Sequence, residues 1–339
     1  MRKSEIPAAI ARRLVAAARP AARAATLLLC TTVAGCSWFA LAEPPALPAL
    51  PAPAVVARTA QAPLTRHVVV ISVDGLRPDA IDRVGTPTLH RLLAEGSASL
   101  SASTILPSKT LPSHTSMLTG VVPATHGITW NSDETTTEGV VRVPTVFAVA
   151  RARGLRTAAV FGKAKFHHLE VPGTLDFVRS PPSDREAWTV DVTVPVVERY
   201  LATARPNLLF VHVGEPDYAG HDHGWMSARY AAAVARADGA VARVLAAADR
   251  AFGTGEYTVI LTADHGGHGR GHGGAGGTDV TIPWVAWGEA VRGGTRLPVR
   301  VRTMDTAATA LWLLGVAVPP SWDGVPLSEG FEVAAAVAN

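Results

Sequence analysis

The chain has 339 residues, 48% of them hydrophobic, with 31 basic and 28 acidic side chains. That length supports one large α/β domain, or at most two domains. Arg2, Lys3, Arg12, Arg13, Arg19 and Arg23 supply the positive excess at the amino terminus and the remainder is slightly acidic, which excludes a nucleic-acid-binding surface.

The basic run is followed by an apolar stretch, 24–35, and then Cys36, the pattern of an export signal. Val33-Ala34-Gly35-Cys36 resembles a bacterial lipobox, with Cys36 as the lipidated first residue of the mature protein, and Ala40-Leu41-Ala42 before Glu43 is a competing cleavage site. The expectation is an exported chain, periplasmic or an outer-membrane lipoprotein, or else secreted. It meets a membrane only through a lipid at Cys36, because the apolar run is short for a span. Residues 1–42 form this signal region, 43–65 a Pro/Ala-rich tether of polyproline type, and 66–330 the folded domain. Cys30 and Cys36 are the only cysteines, so the folded domain has no internal disulfide and no thiolate metal site. Any metal is held by oxygen and imidazole.

In chain order, His67–Val73 is a mostly β-branched run ended by Asp74-Gly75, as in a strand buried on both faces of a parallel sheet. Residues 86–95 have helical spacing, and 101–110 read as a loop leading to Thr110 and a helix over 111–118 with Pro112 in its first turn. A turn follows at 126–131. Residues 144–153 predict a helix, 157–161 a strand, and 184–204 a helix broken near Pro195. Asn207–Val213 is another buried strand, ended by Gly214-Glu215-Pro216-Asp217. A long alanine-rich amphipathic helix covers 226–252, and Tyr257–Thr262 is a third strand, ended by Ala263-Asp264-His265-Gly266. Glycine dominates 266–277, a short strand occupies 282–287, and 303–314 is a closing helix. The alternation gives an α/β fold with a mainly parallel central sheet flanked by helices.

Three strands therefore end in metal-type groups: Asp74; Asp217 with His221; and Asp264 with His265. Open parallel sheets build their sites beyond the carboxyl ends of the strands, so these groups converge on one edge. Together with a further histidine they are too many for one tetrahedral ion and suit two adjacent ions, zinc or, less often, manganese. Thr110 lies at a helix start, where free N–H groups and the helix dipole favour an attacking oxygen and its phosphate. Its hydroxyl is nearly inert without a metal or base beside it.

These residues resemble the alkaline phosphatase superfamily, specifically its nucleotide pyrophosphatase/phosphodiesterase branch. The matching segments are Val73–Asp79, Lys109–His114, Thr119–Ile128, Pro216–His221, Thr262–Gly266 and Gly271-His272-Gly273, with a tail of Asp305–Thr309 and Asp323-Gly324, all in the family's order. The resemblance implies that Asp74, Thr110, Asp264 and His265 hold one Zn²⁺ and that Asp217, His221 and a third histidine, His268 or His272, hold the other. The Gly271-His272-Gly273 setting matches the family better. It also implies hydrolysis of a phosphodiester or phosphomonoester of small size, with Thr110 as nucleophile and a phospho-enzyme intermediate. Larger members use an Asn to hold a non-bridging phosphate oxygen; Ser113 or Asn131 would serve here, and Lys163 would face the substrate. The segment between His265 and the last histidine is short, so a large substrate-covering insertion is absent and specificity is not transferred. A phosphonate hydrolase, a phosphoethanolamine-type transferase and a non-catalytic metal-binding lipoprotein are the alternatives. No C/S-x-P-x-R sulfatase motif is present.

Overall fold

The structure, a computed structural model, describes residues 61–297 and 300–332. The signal region 1–42 with Cys36, and the tether up to residue 60, lie outside the described residues.

One eight-stranded sheet organises the described chain: β1 Val68–Val73, β2 Ser97–Ser103, β3 Thr157–Val160, β4 Phe177–Arg179, β5 Leu208–Val213, β6 Thr258–Thr262, β7 Thr281–Gly288 and β8 Thr295–Arg296. Their order is β4-β3-β5-β1-β6-β7-β2-β8. The block from β4 to β6 is parallel throughout, and β7 runs antiparallel to both of its neighbours. Every residue of β1, β5 and β6 is buried, as expected for strands covered by helices on both faces. These three apolar strands lie side by side, so the acids that follow them emerge together from the centre of the sheet.

The helices fill the faces. The longest, Ala228–Phe252, is capped by Ser227, whose hydroxyl accepts from Tyr230 N–H, and it buries a stripe of Ala and Val. Thr110–Thr119 is buried at every position although most of its side chains are polar, and Ser113, His114, Thr115, Ser116 and Thr119 are each hydrogen-bonded within the interior. The Asp305–Leu313 helix is buried throughout as well.

Three sequence expectations need correction. The 101–110 segment is not all loop, because β2 runs through Ser103; its SASLSAS sequence has little intrinsic strand preference and is held by pairing to β7 and β8. The helix expected over 184–204 begins only at Val190, and Pro195 does not break it. Pro195 removes the N–H that would bond the Asp191 carbonyl, and Asp191 is exposed, so water can satisfy that group. Thr110 is the first helical residue rather than a cap; Lys109 holds the cap position and makes no side-chain capping bond.

Candidate metal centre and nucleophile

Asp74 leaves β1 into a turn that requires Gly75. That residue has φ +71°, and a Cβ there would sit 3.0 Å from the Asp217 Cα. The close approach lets Asp217 N–H donate to the Asp74 carbonyl (3.0 Å) and Gly75 N–H donate to Asp264 Oδ1 (3.1 Å). One backbone bond and one bond from backbone to carboxylate thus knit the ends of β1, β5 and β6.

Around Thr110, four groups meet. Thr110 Oγ1 lies 3.3 Å from His265 Nε2, which is also 3.4 Å from Asp74 Oδ1 and 3.2 Å from Asp264 Oδ2. All four residues are buried. Beside them, His221 Nε2 and His272 Nε2 stand 3.1 Å apart, and each approaches Asp217 Oδ1, at 3.3 and 3.7 Å. The His265 and His272 rings stack at 3.6 Å, so the two halves of the cluster touch. Asp217 also groups with Asp74 and His265, each offering a ligand atom within 4.8 Å of the others.

The protons favour cations here. His265 Nδ1 faces the Gly266 carbonyl (2.8 Å), His221 Nδ1 the Arg270 carbonyl (3.0 Å) and His272 Nδ1 the Ser108 carbonyl (2.8 Å). A carbonyl only accepts, so each Nδ1 carries the proton, and a neutral ring then aims the Nε2 lone pair into the cluster. Burial, reinforced by His265, lowers His272 to about 4 and keeps it neutral. Burial also lowers His265. The Asp217 carboxylate beside it raises His221. Asp74 Oδ1, Asp217 Oδ1 and Asp264 Oδ2 are buried with no hydrogen-bond partner, and these are the carboxylate oxygens that face His265, His221 and His272. Buried polar atoms are otherwise almost always paired.

Charge balance points the same way. Three buried carboxylates meet one ammonium, Lys163 Nζ, 2.6 Å from both Asp74 Oδ2 and Asp217 Oδ2. Burial opposes the Asp74 charge, but Lys163 and then His212 outweigh it and hold that carboxyl well below the usual range. Asp264 is pushed well above its usual value by burial and by the Asp74 charge. Oxygen and imidazole donors in this number, short of positive charge, fit divalent ions of the zinc or manganese type.

Of the expected residues, Asp74, Thr110, Asp217, His221, Asp264, His265 and His272 all come together. His268 does not; it is bound to Asp279 (2.7 Å). Ser113 does not present its hydroxyl to the site, because the group donates to the Asp264 carbonyl (2.7 Å) and accepts from the Thr104 hydroxyl (2.6 Å). Asn131 Oδ1 accepts from Leu111 N–H (2.9 Å), which leaves its amide donor at the start of the Thr110 helix. Lys163 bridges the two carboxylates instead of facing open solvent.

Two supporting residues do not stand out in the sequence. His212 Nδ1 accepts from Gly162 N–H (3.2 Å), so its Nε2–H donates to Asp74 Oδ2 (2.9 Å). His114 Nδ1–H donates to the Thr110 carbonyl (2.8 Å), and its Nε2 accepts from Ser72 (2.8 Å). The signal that could have found them is a polar residue inside an otherwise apolar strand: Ser72 in VVVISV and His212 in LLFVHV.

A family model described as type I phosphodiesterase / nucleotide pyrophosphatase matches residues 68–269, which carry all of these residues except His272. The chain belongs to that family. It is 24% identical over 227 residues to human ectonucleotide pyrophosphatase/phosphodiesterase family member 1, covering 60% of this chain and 24% of that protein. It is 25% identical over 219 residues to rat family member 7, covering 59% of this chain and 49% of that protein. The aligned region thus spans a quarter to a half of these curated relatives. Among solved structures, murine ectonucleotide pyrophosphatase/phosphodiesterase 5, an inactive form in complex with AMP, superposes with a TM-score of 0.62 at 17% identity, covering 75% of this chain and 96% of that one. A 2-O glycosaminoglycan sulfatase, BT1596, superposes with a TM-score of 0.63 at 17% identity, covering 79% and 74%. Both similarities concern the fold alone.

Proposed function

We propose that this chain is an exported hydrolase that cleaves small phosphodiesters or phosphomonoesters, nucleotides among them, through Thr110 and two divalent ions, zinc in the first instance. The observation that supports the reading is the convergence of the Thr110 hydroxyl, Asp74 and Asp264 on His265 Nε2, with Asp217, His221 and His272 alongside. Asp74, Thr110, Asp264 and His265 would hold one ion, and Asp217, His221 and His272 the other. When bound, such ions supply the acidity that ionises a hydroxyl and the charge that offsets a phosphoryl group.

The protein's own groups do the rest. The Thr110 helix turns its positive dipole end and the Thr110 N–H toward a non-bridging oxygen, the Leu111 and Ser113 N–H groups being taken by Asn131 and the Lys109 carbonyl. The Asn131 amide is placed to donate to the same oxygen, since Leu111 N–H fixes its orientation. Thr110 Oγ1 attacks phosphorus in line; the P–Oγ1 bond forms as the bond to the leaving group breaks. Water then cleaves P–Oγ1, returning the threonine hydroxyl and releasing phosphate or its monoester. His114 anchors the Thr110 carbonyl and His212 anchors Asp74, so nucleophile and ligand keep their geometry through the cycle.

Thr110→Ala tests the assignment. The expected result is loss of bis-p-nitrophenyl phosphate turnover by at least ~10³-fold, the scale of losing a nucleophile that splits a difficult step, with metal content retained. Unchanged turnover would remove Thr110 from its role. Export and lipidation at Cys36 rest on the sequence; radiolabelled palmitate incorporation that disappears in Cys36→Ala is the expected result.

A further inference from the structure

Trp225 occupies a position that the proposed ligand set leaves unexplained. It follows the Asp217–His223 helix, and its indole touches every segment that delivers a group to the second half of the cluster. Its Nε1–H donates to the Gly75 carbonyl (3.0 Å), in the turn just after Asp74. Its ring meets His221 edge to face, centroids 5.1 Å apart at 84°, and His272 at 5.7 Å and 63°. Its backbone N–H donates to the Gly269 carbonyl (2.7 Å), inside the glycine-rich loop. Only glycine fits against the indole on two sides: a Cβ at Gly220 would lie 2.7 Å from the ring and one at Gly267 would lie 2.3 Å away. The next residue, Met226, holds φ at 65°, a left-handed conformation that is unfavourable for a residue carrying a side chain. That strain is kept where it turns the chain immediately after the buried indole, which is 7% exposed.

The loop from 266 to 277 has few side chains with which to build a core of its own. His272 nevertheless has to reach Asp217 and His221 with its Nε2 aimed inward. We infer that Trp225 is a positioning residue: its indole is the template that docks the glycine-rich loop against the Asp217–His223 helix and sets the His221 and His272 rings for the second ion. The half of the cluster built on Asp74, Thr110, Asp264 and His265 has its own anchors in the sheet, and the Gly75 carbonyl that the indole also reaches keeps a second donor, the Tyr230 hydroxyl at 2.8 Å.

This inference rests on the two-ion reading and deepens it. The test uses full-length Trp225→Leu, Trp225→Phe and Gly267→Ala, the last displacing the indole without removing it. Zinc occupancy is measured against a graded chelator series, with metal-free thermal midpoints as the folding control. The expected result is that wild type binds two equivalents and that Trp225→Leu and Gly267→Ala weaken one of them by about 10- to 100-fold, the scale seen when a group orienting a metal ligand is lost, while the other is unchanged. Trp225→Phe, which keeps a ring but not the bond to Gly75, falls between. A zinc-dependent change in tryptophan emission present in wild type and absent in Trp225→Phe is the matching spectroscopic result. Equal weakening of both equivalents, or none in a folded variant, overturns the template role. If wild type takes up no divalent ion at all, the two-ion reading itself fails, and that outcome is distinct from either of the others.

Discussion

The two halves of the cluster are built by different means. Asp74, Thr110, Asp264 and His265 are buried, sit at strand ends or a helix start, and are braced by His212, Gly75 N–H and the Ser113 hydroxyl. Asp217 is equally buried, but its partners are not so held: the His221 side chain is 45% exposed and His272 arrives on a glycine-rich loop. A site fixed by a sheet is ordered when the chain folds, whereas one completed by a loop is ordered in part only on binding. The half that contains the nucleophile is thus the rigid one, anchored in the sheet itself, whereas the half beside it depends on contacts between a helix and a loop.

Removing Thr110 acts on the rigid half and has the largest effect expected, the loss of turnover by at least ~10³-fold with metal content retained. Next is Lys163→Met, which strikes both halves at once by leaving Asp74 and Asp217 without their shared ammonium. In the metal-free protein this should lower stability by about 3 kcal/mol, the scale of an uncompensated buried charge. Urea unfolding with and without zinc checks it: the loss should shrink in zinc, and a loss that is the same in both conditions would show that the lysine braces the fold independently of the cluster.

His221→Ala separates the halves most directly. One zinc equivalent should weaken by at least ~10-fold while the metal-free thermal midpoint moves little, because the side chain is half exposed. Loss of both equivalents would show that the halves bind as one unit. His126 is a control outside both. Burial lowers it to about 4, and it is held neutral by Ile128 N–H on Nδ1 and by Ser116 on Nε2. The unfolded chain, with a histidine near 6.5, binds the extra proton between these values. Stability therefore falls as pH drops from about 6.5 towards 4, by up to about 1.4 kcal/mol per pH unit from this group. His126→Asn should flatten that part of the pH profile in chelator, leaving the part that belongs to the cluster. The smallest effect is expected from the exposed Arg243–Glu198 pair (2.7 Å), where Glu198→Gln should cost under ~1 kcal/mol in urea unfolding.

Much of this site is legible in the chain itself. Runs such as VVVISV, LLFVHV and TVILT can be buried on both faces only in a covered parallel sheet, and each is followed within a few residues by an acid. The rule that open parallel sheets carry their sites beyond the carboxyl strand ends then puts Asp74, Asp217 and Asp264 on one edge. Local patterns are less informative where the sequence lacks a strong preference. The Ser- and Ala-rich β2 becomes a strand only through its partners, and the helix around Pro195 persists because the freed carbonyl reaches solvent.

What the sequence determined by itself is the central strands β1, β5 and β6, the long helices, their order and the chemistry at the strand ends, because side-chain periodicity and turn residues act over a few positions along the chain. Only the tertiary structure decided that β5, β1 and β6 are neighbours, that His272 and not His268 turns inward, that Ser113 braces Asp264 instead of meeting substrate, and that Lys163 lies between two acids. Those outcomes depend on contacts between residues from a few to nearly two hundred positions apart, and such contacts form only once the sheet has brought its strand ends together.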